Sequence, residues 1–335
     1  MADQPAVLER LLGEGVAPAR AVADVIRERR PRFVLLAARG TSDNAALYAK
    51  YLIEVRLALP AGLASPSTTT VYGARPDLRD VLLVSVSQSG GSPDLVETTR
   101  VAREAGALTL AVTNAADSPL AEQAELHLDV LAGPERAVPA TKSYTAQLLA
   151  LWLLVESWAG GDLAEARSLP EQAAALLADR DQVAAVSARY RFADLLVTTG
   201  RGYSYPTARE AALKVMETSF LSAHAWSGAD LLHGPLAMVD ERTAVVALAP
   251  HGRGGAAMRP TIGRLRERGA DVCVVGPQAL VVDAAVGLRL PDDVPEPLSP
   301  VLEILPLQRL AWEIAVARGY DPDSPRALAK VTETH

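Results

Sequence analysis

The chain repeats itself, and the repeat limits what it can fold into. The β-rich run Phe33 to Ala38, followed by Arg39-Gly40, returns in the second half as Asp194 to Thr199 followed by Arg201-Gly202. The stretch Val81 to Thr113 (strand, glycine-bearing loop, helix, strand) returns from Val245, with Gly269 standing where Gly106 stood and at nearly the same offset. Two copies of one folding unit explain such a spacing better than chance. Within the first copy, Phe33 to Ala38, Val81 to Val86 and Leu108 to Thr113 read as strands. Asn44 to Glu54, Asp94 to Ala105 and Ala140 to Trp158 read as helices. Strands alternating with amphipathic helices are the mark of βαβ units on a parallel sheet. The expected fold class is α/β, with two tandem domains, each a parallel sheet flanked by helices in a flavodoxin-like three-layer sandwich. The boundaries read as 1–160 for the first domain, 161–191 for a helical connection, 192–320 for the second domain and 321–335 for a tail.

At 335 residues the chain can bury two cores of ordinary size. Its formal net charge of -7 argues against a broad basic surface for nucleic acid, while leaving room for a local phosphate pocket. The single cysteine, Cys273, lies in an apolar run that reads as a buried strand; no intrachain disulfide is possible, which fits a reducing compartment. The N-terminus has no apolar signal core, and the longest apolar stretch, Leu148 to Val155, is too short to span a bilayer. A cytoplasmic location and no membrane partner are expected. Of 33 basic residues only Lys50, Lys142, Lys214 and Lys330 are lysine, so lysine stands where a compact, titratable amine has a use that a guanidinium lacks.

The two copies differ at one loop. The first carries Ser87, Gln88, Ser89, Gly90, Gly91 and Ser92; the second has Pro250, His251, Gly252, Arg253, Gly254 and Gly255 in its place. A strand-to-helix loop presents backbone N–H groups and the positive end of the helix dipole, both favourable to an anion. The serine hydroxyls add donors, and the glycines let the backbone approach closely. Gly40, Thr41 and Ser42 occupy the equivalent place after the first strand. In an open parallel sheet, loops at the carboxyl ends of neighbouring strands converge on one crevice. Only the first copy is equipped in this way for a phosphate.

These segments, Arg39 to Ser42, Ser87 to Gly90 and Arg201 to Pro235, resemble the SIS (sugar isomerase) family. Ala140 to Gln147, Ala211 to Glu217, Leu232 to Leu236 and the tail Pro325 to Lys330 are similar to the isomerase half of glutamine:fructose-6-phosphate amidotransferases. The resemblance runs from about residue 5 to the C-terminus and implies a sugar-phosphate enzyme of amino-sugar metabolism. These residues include no glutaminase domain and no N-terminal cysteine nucleophile. The expectation is therefore closer to stand-alone glucosamine-6-phosphate deaminases, which interconvert glucosamine 6-phosphate and fructose 6-phosphate with release or uptake of ammonia. A deglycase of phosphorylated fructosamines and a non-catalytic sugar-phosphate sensor are the alternatives.

Aldose–ketose interconversion needs a base that shuttles a proton between C1 and C2, and a carboxylate in a partly desolvated cleft suits it. The resemblance implies that Glu217 is that base and that His233, a group titrating near neutral pH, opens the sugar ring. In the family this histidine reaches the neighbouring subunit's site, which implies a homodimer with shared active sites. Lys330 in the tail would meet the open-chain carbonyl as the tail closes over the site. Lys214, three residues before Glu217, could bind substrate hydroxyls or pair with Glu217. Thr141 and Lys142 would line the pocket mouth. His224, Asp230 and Leu232 depart from the amidotransferase pattern; His224 could be a second acid–base group or a buried, hydrogen-bonded histidine. The histidines have no metal-site spacing, and no cofactor is needed, since the substrate's own carbonyl is the electron sink.

Overall fold

A computed structural model describes residues 1–282, 284–326 and 328. After an N-terminal helix, α1 (Val16–Arg29), the chain forms β1 (Phe33–Ala38), α2 (Thr41–Arg56), β2 (Ala61–Leu63), β3 (Val81–Ser87), α3 (Pro93–Glu104), β4 (Leu108–Thr113), β5 (Leu126–Asp129) and α4 (Lys142–Ala159). Two helices follow, α5 (Leu169–Ala178) and α6 (Asp181–Tyr190). The pattern then restarts with β6 (Leu195–Gly200), α7 (Ser204–Ser219), β7 (Ser222–Ser227), α8 (Gly228–Leu232), β8 (Ala244–Leu248), α9 (Arg253–Glu267), β9 (Asp271–Gly276), β10 (Val286–Arg289) and α10 (Ser299–Ala317).

Both sheets are parallel and five-stranded. The first runs β2-β1-β3-β4-β5 and the second runs β7-β6-β8-β9-β10, the same order in the same sequence direction. The register places Ala38 beside Val86 in the first sheet and Thr199 beside Ala247 in the second. The expected α/β class with duplicated flavodoxin-like sheets is what the chain adopts. Edge strands β2, β5, β7 and β10 escape a periodicity reading because each is only partly buried and all but β7 hold four residues or fewer.

Central strands show no polar alternation because helices cover both faces. All six residues of β4 are buried, as are all five of β8. Cys273, in β9, is fully buried as expected, and burial raises its thiol pKa to about 12, which makes it inert as a nucleophile. Residues 143–157 of α4 are buried throughout, which explains an apolar run with no polar stripe; α4 packs on α1 and α2. In the second copy α10 takes the matching role, packing on α7 and also on α5 and α6.

The chain divides into two compact units. One comprises residues 6–136 and 140–167; the other comprises residues 1–5, 137–139 and the described residues from 168 onward. Among the described residues no helix is long and apolar enough to cross a membrane.

Candidate active site

In the first unit the two suspected anion loops leave the carboxyl ends of adjacent strands, because β1 pairs with β3 over their full length. The turn after β1 depends on Gly40, whose φ of 56° and ψ of −129° are unsuited to a residue with a Cβ. It lets the chain pass directly from β1 into the first turn of α2, which holds Thr41 and Ser42. Ser42 is buried and its Oγ accepts from Gln147 Nε2 at 3.0 Å, which ties the start of α2 to α4.

The second loop is held by its own hydroxyls. Ser87 Oγ accepts from the Gly90 N–H at 3.1 Å, and Ser89 Oγ accepts from the Gly91 N–H at 3.3 Å. Gly90 sits at φ 64°, where a Cβ would overlap Ser118. Ser92 ends the loop in extended conformation just before Pro93, the first residue of α3. Gln88, Ser89 and Ser92 are half-buried and Ser87 is buried. Arg39 and Asp94 clip the two loops together: Arg39 Nε lies 2.7 Å from Asp94 Oδ2, with the aspartate almost fully buried.

Thr141 and Lys142 begin α4. Glu135, which the sequence reading passed over, receives three donors there: the Thr141 N–H at 3.1 Å, the Ser143 N–H at 2.8 Å and the Thr141 hydroxyl at 3.4 Å. A carboxylate at a helix start is favoured by the dipole. Glu135 lies in a loop with no periodicity, so only the fold brings it to α4.

In the second unit α7 carries the acid–base candidates. Lys214 Nζ lies 2.5 Å from Glu217 Oε2 and 3.3 Å from Glu210 Oε1. Glu210 is fully buried and the Lys214 side chain is 3% exposed, whereas Glu217 keeps 21% of its side chain open. Burial opposes charge on Lys214, yet the two carboxylates outweigh it and the amine pKa is raised. Lys214 is a fixed cation, and Glu217 is the member of this trio that a substrate can reach. Glu210 was also missed, although its spacing of four residues from Lys214 is a readable helical signal.

His233 follows α8, on an exposed turn whose N–H donates to the Asp230 carbonyl at 3.0 Å. Leu232 beside it is 41% exposed. His224 is exposed in the middle of the edge strand β7, three residues short of that strand's carboxyl end, and is not the buried histidine of one reading. Lys330 lies outside the described residues.

Comparison with known proteins agrees with this layout. The family model for the SIS domain matches residues 29–157 and 191–285, one match on each copy. The glutamine–fructose-6-phosphate aminotransferase (isomerizing) of Thermus thermophilus is 37% identical over 98% of this chain; the chain spans 57% of that relative's length. A Silicibacter pomeroyi protein provisionally described as a phosphosugar isomerase superposes with a TM-score of 0.86 at 35% identity, over 96% of this chain and 98% of that one. The C-terminal domain of the glucosamine-fructose-6-phosphate aminotransferase of Francisella tularensis gives 0.87 at 26% identity, over 96% of each chain. Two matched copies, each with a doubly wound sheet, make this chain a tandem-domain member of the SIS family.

Proposed function

We propose that the protein is an amino-sugar phosphate deaminase/isomerase that converts glucosamine 6-phosphate and water to fructose 6-phosphate and ammonia, or the reverse. The observation that carries this reading is the trio on α7: a partly open carboxylate, Glu217, beside a buried ammonium that a second carboxylate keeps charged. The hydroxyls and N–H groups of Ser87 to Ser92, with Gly40, Thr41 and Ser42, hold the phosphate. His233 moves a proton from the anomeric hydroxyl to the ring oxygen as the ring opens. Glu217 then takes the proton from C2 and returns it to C1 while the C1 oxygen takes a proton from the C2 ammonium, so the C1 aldehyde becomes an alcohol and the C2 ammonium becomes an iminium. Water adds at C2, and ammonia leaves with the C–N electron pair. Lys214 holds negative charge near Glu217 and does not act as a nucleophile, because its amine stays protonated. Glutamine is not the nitrogen source within these residues, since the sole cysteine is buried in β9. The family resemblance supports a homodimer in which His233 serves the partner's site, and its exposure fits that role.

A deglycase is the second reading. It is favoured by the exposed Leu232, which offers apolar surface next to His233 where a substituent on the amine would need it. The test is ammonia and fructose 6-phosphate formation from glucosamine 6-phosphate, run with Glu217→Gln and with an N-substituted fructosamine 6-phosphate. Turnover of the first substrate that is lost in the variant supports the deaminase. Turnover of the substituted substrate alone selects the deglycase, and saturable binding without turnover of either leaves a sensor.

A further inference from the structure

The second copy repeats the crevice of the first at the ends of β6 and β8, but it is already filled. Where Ser87 to Ser92 precede α3, Pro250 to Gly252 precede α9, and the carboxylate of Glu296 sits on the start of that helix. Glu296 Oε2 accepts from the Arg253 N–H at 2.8 Å and Oε1 accepts from the Gly254 N–H at 2.6 Å. The backbone is moulded to it: a Cβ on Gly252, at φ 120°, would overlap the carboxylate, and one on Gly254 would lie 2.8 Å from Glu296 Oε1 and 2.8 Å from the Arg201 carbonyl oxygen. Two parallel N–H donors on the two oxygens of one anion are the contact that such a loop offers an oxyanion ligand.

The other half of the crevice is filled too. Ser204 is the counterpart of Ser42 in the repeat, and it opens α7 as Ser42 lies in the first turn of the matching α2. Its hydroxyl donates to Glu303 Oε1 at 2.7 Å, and Ser299 Oγ donates to the same oxygen at 2.9 Å. Glu303 is fully buried. Both carboxyl groups come from one segment, Glu296 to Glu303, which ends the β10 connection and starts α10.

We propose that the second repeat is a self-liganded sugar-phosphate crevice, in which Glu296 is the built-in anion at α9 and Glu303 fills the position at α7. Removing Glu296 uncovers a site for a small oxyanion of the carboxylate class. One repeat is thereby left free to bind ligand and the other is a fixed structural copy, so the loss of serines from Pro250 to Gly255 has a physical counterpart.

The test uses the full chain carrying Glu296→Ala, with sodium formate as probe and sodium chloride at matched ionic strength as reference. The expected result is a lowered thermal midpoint that formate restores selectively, with a formate-specific shift larger than in the wild type. A variant as stable as the wild type overturns the proposal, and so does a destabilised variant for which formate does no more than chloride. If Glu296→Ala does not fold, Glu296→Gln keeps the shape and removes the charge. A lowered midpoint for that variant supports the proposal and an unchanged one overturns it. The parallel with the first repeat rests on the phosphate reading above, but the readout lies wholly in the second. Failure of that reading would show as absent glucosamine 6-phosphate binding in the wild type, with the formate effect intact.

Discussion

Lys214 Nζ touches Glu217 Oε2 at 2.5 Å from one helical turn away, so the charge of the proposed base is matched before any substrate arrives. A general base on a carbon acid contributes about 10²- to 10⁴-fold. Glu217→Gln is accordingly expected to lower kcat by about that factor and leave KM for the sugar phosphate within a few fold, measured by ammonia release. A loss confined to KM would make Glu217 a binding group.

Lys214→Met removes the ammonium 3.3 Å from Glu210 Oε1 while that carboxylate stays fully buried. Breaking a buried pair by removing one partner costs about 3–5 kcal/mol. The variant should unfold at markedly lower denaturant than the wild type, and Glu210→Gln in the same background should recover part of the loss. Additive losses would show that the two side chains are independent.

Arg56 and Glu156 pose the same question in the first unit, away from any proposed chemistry. Arg56 Nε and Nη2 meet the two carboxylate oxygens at 2.6 and 2.7 Å, and the Glu156 side chain is 3% exposed. Because Arg56 keeps 40% of its side chain open, Arg56→Ala is expected to cost about 1–3 kcal/mol, less than a fully buried pair, and Arg56→Lys should recover little because the fork geometry is lost. Chemical denaturation checks both; full rescue by lysine would mean that charge alone matters.

Glu303 links stability to pH. Burial pushes its carboxyl up from 4.5 to about 7, against hydrogen bonds from Ser204 and Ser299. Between those values the unfolded chain has released a proton that the folded chain keeps, so the stability contribution is complete below about 4.5 and is lost as pH rises through about 7. The swing is on the order of 3 kcal/mol. Wild type minus Glu303→Gln, compared at pH 5 and pH 8 by urea unfolding, should fall by roughly that amount; a pH-independent difference would place the carboxyl outside this account.

Gly90→Ala adds a Cβ at φ 64°, where Ser118 already sits. Strain of about 1–3 kcal/mol is expected, together with weaker binding of the sugar phosphate. Calorimetric titration and a melting curve separate the two effects, and unchanged affinity would detach this loop from the phosphate.

The duplication, the fold class and the central strands were legible in the amino-acid sequence. The return of Phe33 to Gly40 as Asp194 to Gly202, and apolar runs such as Leu108 to Thr113, are local, one-dimensional signals. The resemblance carried by Ala211 to Glu217 singled out Glu217, and a spacing of three residues on a helix, which is a distance in space, added Lys214. What depends on contacts far apart in the chain emerged with the folded arrangement. Glu135 reaches Ser143 across an irregular loop, Arg39 finds Asp94 across a strand pair, and His224 turns out exposed because β7 is an edge strand. The same holds for Glu296: nothing in its neighbourhood of prolines marks it as the ligand of a helix start 43 residues earlier. Closing that loop depends on where β10 and α10 pack, which no local pattern encodes.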